Sequence, residues 1–130
     1  MIKELKPANR AGFFYTFTLM KVEIRKEVKE DFGTVFELIK NAFEKEEYSD
    51  HKEQYLVESL RSSDAFVPEL SLIAEVNNQI VGYILLTKIN IIDADRKINT
   101  SLAMAPVAVL PEFQGNGIGA KLIEAAHHKA

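Results

Sequence analysis

Val22 and Ile24 alternate with Lys21, Glu23 and Arg25, the two-residue period of a strand with one buried face. The period changes near residue 30. Phe32, Val35, Phe36, Ile39, Ala42 and Phe43 recur at helical spacing, with Glu30 and Asp31 in the first turn, where the helix dipole favours negative charge. A second helix is predicted from about His51 to Arg61, with Leu56, Val57 and Leu60 turned inward.

Beyond Pro68, which closes a loop containing Ser and Asp, residues 70–76 read as a second strand and residues 79–92 as a third. Asn77 and Asn78 form the two-residue turn between them, because asparagine tolerates positive φ. Gly82 inside the third strand marks either a bulge or the close approach of a backbone or ligand. A polar connection over residues 93–99 leads to a fourth strand, residues 100–110, a short turn at 110–113 and a last apolar-periodic helix over 118–126. The order β, α, α, β, β, β, α predicts an α+β domain with a mostly antiparallel mixed sheet.

At 130 residues, 47% hydrophobic and 27% charged, the chain reads as one soluble globular domain. A net charge of −3 argues against nucleic-acid and anionic-membrane partners. There is no cysteine, so disulfides, thiolate metal sites and a cysteinyl acyl-enzyme are all excluded. His51, His127 and His128 do not make a metal spacing, and no metal is expected. Residues 1–19 pair Lys3, Lys6 and Arg10 with an apolar run after Ala11, but no small-residue cleavage site follows and the run is too short to span a membrane. They are predicted to be an extension that precedes the domain at 20–130, and the protein is expected in the cytoplasm. The acidic stretch Glu44 to Asp50, which includes Tyr48, reads from its charge as a solvated loop.

Candidate chemistry is concentrated between Ala105 and Ala120, where an apolar strand feeds Gln114, Gly115, Asn116, Gly117, Ile118, Gly119 and Ala120 at the start of the last helix. The first N–H groups of a helix lack internal partners and carry the positive end of its dipole, so this end attracts phosphates. Three glycines in five residues let a diphosphate approach the amides, at a cost of roughly 1 kcal/mol each inside a helix. No Gly-Lys pair exists, which removes a Walker loop. A dinucleotide fingerprint through Gly115, Gly117 and Ala120 lacks the following strand and its acidic residue. The remaining pattern is Gln/Arg-x-x-Gly-x-Gly/Ala, matched by Gln114, Gly117 and Gly119.

In that register the run from Met104 to Ile123 resembles the acetyl-CoA motif of the GNAT N-acetyltransferase superfamily, in particular a bacterial branch. The resemblance implies an acyl-CoA N-acyltransferase fold and acetyl transfer from acetyl-CoA directly to an amine of a small molecule or a polypeptide. It also implies that backbone groups of Val107, Ala108 and Val109 pair with the pantetheine arm. The amides of Gly115, Asn116, Gly117, Ile118, Gly119 and Ala120, with the side of Gln114, would hold the pyrophosphate. An N–H of Val107 or Ala108 would polarise the thioester carbonyl. The fourth strand offers no carboxylate between Ser101 and Ala105, Glu112 lies on the phosphate side and Glu75 is expected to face solvent, so no catalytic base is assigned. The resemblance also implies that the loop between the first two helices, Glu44 to Asp50, forms one wall of the acceptor pocket, where its acidity would suit a cationic amine. The alternative is a CoA-binding or structural remnant without catalysis. The resemblance runs from Val22 to Ala130 and omits the family's C-terminal third. An unpaired outer edge on the fourth strand is therefore expected, and with it either self-association to a homodimer or a place within a longer enzyme.

Overall fold

The computed structural model describes residues 21–129, and the predicted extension at 1–19 lies outside them. Its elements are β1 (Val22–Lys26), α1 (Phe32–Phe43), α2 (Glu53–Arg61), β2 (Phe66–Val76), β3 (Gln79–Ile92), β4 (Ile98–Val109) and α3 (Ile118–Lys129), with 3₁₀ turns at Lys29–Asp31 and Pro111–Phe113. The four strands form one sheet in the order β1-β2-β3-β4, and every neighbouring pair is antiparallel. Among the described residues no parallel pair makes the sheet mixed. No described helix is long and apolar enough to cross a membrane.

Both faces of the sheet are covered, which explains why β2 and β3 read as nearly continuous apolar runs. Leu70, Leu72, Ala74, Val76, Ile84 and Leu86 pack with Ile118, Leu122 and Ala126 of α3. On the opposite face Ile73, Tyr83, Leu85 and Ala108 pack with Val35, Leu38, Ile39 and Ala42 of α1 and Val57 of α2.

Asn77 and Asn78 both take positive φ, 52° and 65°, and close the hairpin as their side chains allow. The bulge reading of Gly82 holds, and what comes close to it is neither backbone nor ligand but side chains of α3. Ala74 faces Gly82 while Glu75 faces Ile80, so Val81 is the extra residue of a bulge. A Cβ on Gly82 would also lie 3.0 Å from Leu122 Cδ1 and 3.2 Å from Ile118 Cγ2, so the missing side chain lets α3 settle on the sheet.

Several expectations are corrected. Pro68 does not end a loop but lies inside β2, where the pairing register slips between Phe66 and Ser71 because proline has no N–H to give the ladder. On α2 the inward positions are Gln54 and Val57, while Leu56 is exposed, since Gln54 is drawn in by its bond to the His51 carbonyl. Phe32 is also at the surface, where its ring lies 3.9 Å from the guanidinium carbon of Arg61. The fourth strand begins at Ile98 and the last helix continues to Lys129.

Candidate functional site

Between β4 and α3 the chain makes a 3₁₀ turn and then a loop in which Gly115 and Gly117 stand at φ +83° and +78°. The intervening Asn116 does not, and this alternation of backbone hand lines successive N–H groups along one concave surface. A Cβ on Gly115 or Gly117 would meet nothing within 4 Å, so glycine is required here by φ and not by packing. The first bond into α3 runs from the Lys121 N–H to the Gly117 carbonyl. From Gly115 to Ala120, no main-chain N–H donates to an acceptor among the described residues.

The Gln114 side chain takes a position that sequence did not disclose. Its Nε2 donates to the Val109 carbonyl at 2.9 Å and fastens the loop to the end of β4. Asn116 Nδ2 donates to the Phe113 carbonyl at 3.1 Å and reaches the Gln114 carbonyl at 3.4 Å.

Pairing also decides which groups of β4 are available to a ligand. The Leu110 N–H donates to the Val81 carbonyl, and Ala108 is opposite Tyr83, so alternation turns the Ala108 N–H and C=O toward β3. Val107 and Val109 turn theirs to the outer edge. Of the two N–H groups expected to polarise a thioester, the one on Ala108 is therefore engaged in the sheet and the one on Val107 has no partner among the described residues. Just before it, Ala105 and Pro106 together oppose Leu85, a bulge at which proline supplies no ladder donor.

Beside the loop lies a cleft of about 440 Å³ bounded by Asn41, Glu44, Glu46, Leu110, Glu112 and Gln114. The first part of the acidic stretch, with Lys45, thus borders the same cavity as the turn and Gln114 that precede the glycines, whereas Tyr48, 98% exposed, borders a separate surface cleft. His51 Nε2 lies 3.0 Å from the Glu44 carbonyl and ties the stretch back on itself.

Two polar clusters brace the sheet away from the loop. Arg25 donates to both oxygens of Asp31 at 2.7 and 2.9 Å and to Glu75 at 2.9 Å. These bonds hold the guanidinium charged to a higher pH than usual and hold Asp31 below the usual carboxylate range. Glu75 is thus a half-buried ion-pair partner and does not simply face solvent.

The second cluster is buried, and sequence reasoning missed it. Arg61 is paired with Glu27, Ser71 Oγ donates to Glu27 Oε1 at 2.7 Å, and Tyr83 Oη lies 2.6 Å from Ser71 Oγ. The Ser71 hydrogen goes to the carboxylate, so the tyrosine is the donor to Ser71. Burial, helped by the nearby Glu27 charge, raises Tyr83 well above an ordinary phenol. The sequence signal was a Ser and a Tyr in apolar strands at positions of the parity that faces α1 and α2. Among the described residues no group of three or more His, Asp or Glu is placed to hold a metal ion.

Comparison with known proteins converges on one family. A family model for the Acetyltransferase (GNAT) family matches residues 32–130. An uncharacterised N-acetyltransferase of Escherichia coli, YjhQ, is 39% identical over 72 residues, which are 55% of this chain and 39% of that protein. The match thus spans well under half of that relative's length. Among solved structures, a GNAT family acetyltransferase from Brucella melitensis in complex with acetyl-CoA is 35% identical with a TM-score of 0.69, over 84% of this chain and 68% of that one. An acetyltransferase from Vibrio fischeri, 14% identical with a TM-score of 0.63 over 82% and 84% of the two chains, shares the fold.

Proposed function

The chain belongs to the GNAT family of acetyltransferases, and on that premise we propose that it binds acetyl-CoA at the glycine loop and transfers the acetyl group directly to an amine. The acceptor is a small molecule or a polypeptide. The observation that carries this reading is the row of N–H groups from Gly115 to Ala120, none engaged by another described residue, at the positive end of α3. A diphosphate fits that row, with Gln114 holding the loop in place. The pantetheine arm then runs along the outer edge of β4, where Val107 directs its N–H and C=O and Val109 its N–H, the Val109 carbonyl being held by Gln114.

In the reaction a neutral amine nitrogen attacks the thioester carbonyl carbon; the C–N bond forms, the C–S bond breaks, and the amine proton passes to solvent or a base. The released thiolate takes up a proton and leaves as coenzyme A. The Val107 N–H is the group on this chain that stabilises the developing oxyanion.

The unpaired outer edge of β4 is also read as a surface for self-association to a homodimer, and light scattering coupled to size-exclusion chromatography checks it. Residues 1–19 are read as dispensable, so a chain beginning at Met20 should fold. Bacterial relatives support a bacterial enzyme, and the cytoplasm is its proposed setting.

Calorimetry with coenzyme A and acetyl-CoA tests the site. Gly117→Val should abolish binding, because valine resists φ +78° and crowds the amides. Thiol release across an amine panel tests turnover, with no protein thiol to add background. Binding without turnover on any amine would favour a CoA-binding remnant.

A further inference from the structure

The loop's donors and acceptors are treated unequally. Among the carbonyls from Val109 to Gln114, all but that of Glu112 accept a hydrogen bond from the protein: Val109 from Gln114 Nε2, Leu110 from the Phe113 N–H, Pro111 from the Gln114 N–H, and Phe113 and Gln114 from Asn116 Nδ2. From Gly115 to Ala120 no N–H donates to an acceptor among the described residues, and the Gly115 and Asn116 carbonyls accept nothing there either. The tied carbonyls just before them keep their negative ends off an anion seated on those amides.

We propose that Asn116 is a positioning residue for a diphosphate: its carboxamide holds the Phe113 and Gln114 carbonyls so that these two oxygens do not turn toward the anion. This inference rests on the acetyl-CoA reading above. It adds a role for a side chain that the glycine pattern leaves free to vary, since the pattern fixes only Gln114, Gly117 and Gly119. The chemistry needs a side chain that donates and carries no charge. Alanine donates nothing, and aspartate sets a carboxylate against two carbonyl oxygens and a diphosphate. Asn116 is exposed and flanked by two glycines at positive φ, so its core contacts are few and its removal should spare the fold. With the carboxamide gone, the two carbonyls are free to swing, and ordering them is added to the cost of binding.

The test measures dissociation constants of the full chain for two probes: coenzyme A, and pantetheine, which lacks the diphosphate. Asn116→Ala should weaken coenzyme A about fivefold, the worth of a lost neutral hydrogen bond. Asn116→Asp should weaken it on the order of fiftyfold, and the excess should shrink as salt rises. Pantetheine binding and the melting temperature should match wild type in both variants. Equal weakening of both probes would make Asn116 merely structural and overturn the proposal, as would an Asn116→Ala variant that binds coenzyme A like wild type. A wild-type chain that binds no coenzyme A would remove the functional reading and this inference together, so the two failures are distinguishable.

Discussion

Replacing Gly82 with alanine adds one methyl group at the point where β3 meets α3. The new Cβ would stand 3.0 Å from Leu122 Cδ1, 3.2 Å from Ile118 Cγ2 and 3.3 Å from Ala74 Cβ, closer than ordinary carbon contacts on three sides. None of the three neighbours has room to retreat. Leu122 and Ala74 are fully buried, and Ile118 is the first residue of α3, fixed by the loop before it. Overpacking of this kind costs about 1–3 kcal/mol, and three simultaneous contacts place Gly82→Ala near 2. For a domain of this size that lowers the melting temperature by roughly 6–10 °C. Pushing the first turn of α3 outward also displaces the amides, so coenzyme A affinity should fall with stability. Urea denaturation followed by circular dichroism measures the first effect and calorimetry the second. Shortening Leu122 to alanine in the same chain opens the space, so the double variant should lose clearly less than the two single losses combined. Additive losses, or a Gly82→Ala variant as stable as wild type, would refute the argument that the missing Cβ sets the height of α3.

Arg61→Ala should cost about 3–5 kcal/mol in urea denaturation, because it leaves Glu27 charged and buried without its partner; Glu27→Met combined with Arg61→Met should cost less than either alone. Tyr83→Phe removes the outer donor of the same chain and should cost about 1 kcal/mol, whereas Ser71→Ala strands the phenol and also takes one donor from Glu27, which keeps Arg61, and should cost more, again read from urea midpoints. Asp31 titrates below its unfolded value of about 3.9 because Arg25 donates to it, so its contribution is complete above that pH and disappears as pH falls through the folded value. Asp31→Asn should therefore be less stable than wild type at neutral pH, with the gap closing in acid; a gap unchanged at pH 3 would contradict the assignment.

Legibility followed the range of the interactions. The bounds of β3, the Asn77–Asn78 turn and the glycine loop were readable because each is fixed by neighbours in sequence: a period, a tolerated φ, a missing Cβ. Where a distant partner decides, the pattern misled. Phe32 carries an apolar side chain at an apolar period, yet its ring faces the Arg61 guanidinium across the helix pair. Leu56 lost its inward place to Gln54, a polar residue with a local hydrogen bond that no hydrophobic period registers. In β4 the two-residue period tells which side chains share a face, but the direction of each N–H depends on pairing with β3. Val107 and Ala108 were therefore equivalent in sequence and opposite in structure. Gln114 was recognised by its type, while its attachment to Val109 needed the strand and the loop to be folded together.

That attachment limits whatever lies alongside the sheet. A chain segment laid against the outside of β4 finds free backbone partners as far as Val107, but at Val109 the oxygen it needs already belongs to a side chain. That rung of the ladder is thus contested, and a neighbouring segment is held least firmly at the end of the strand nearest the glycines.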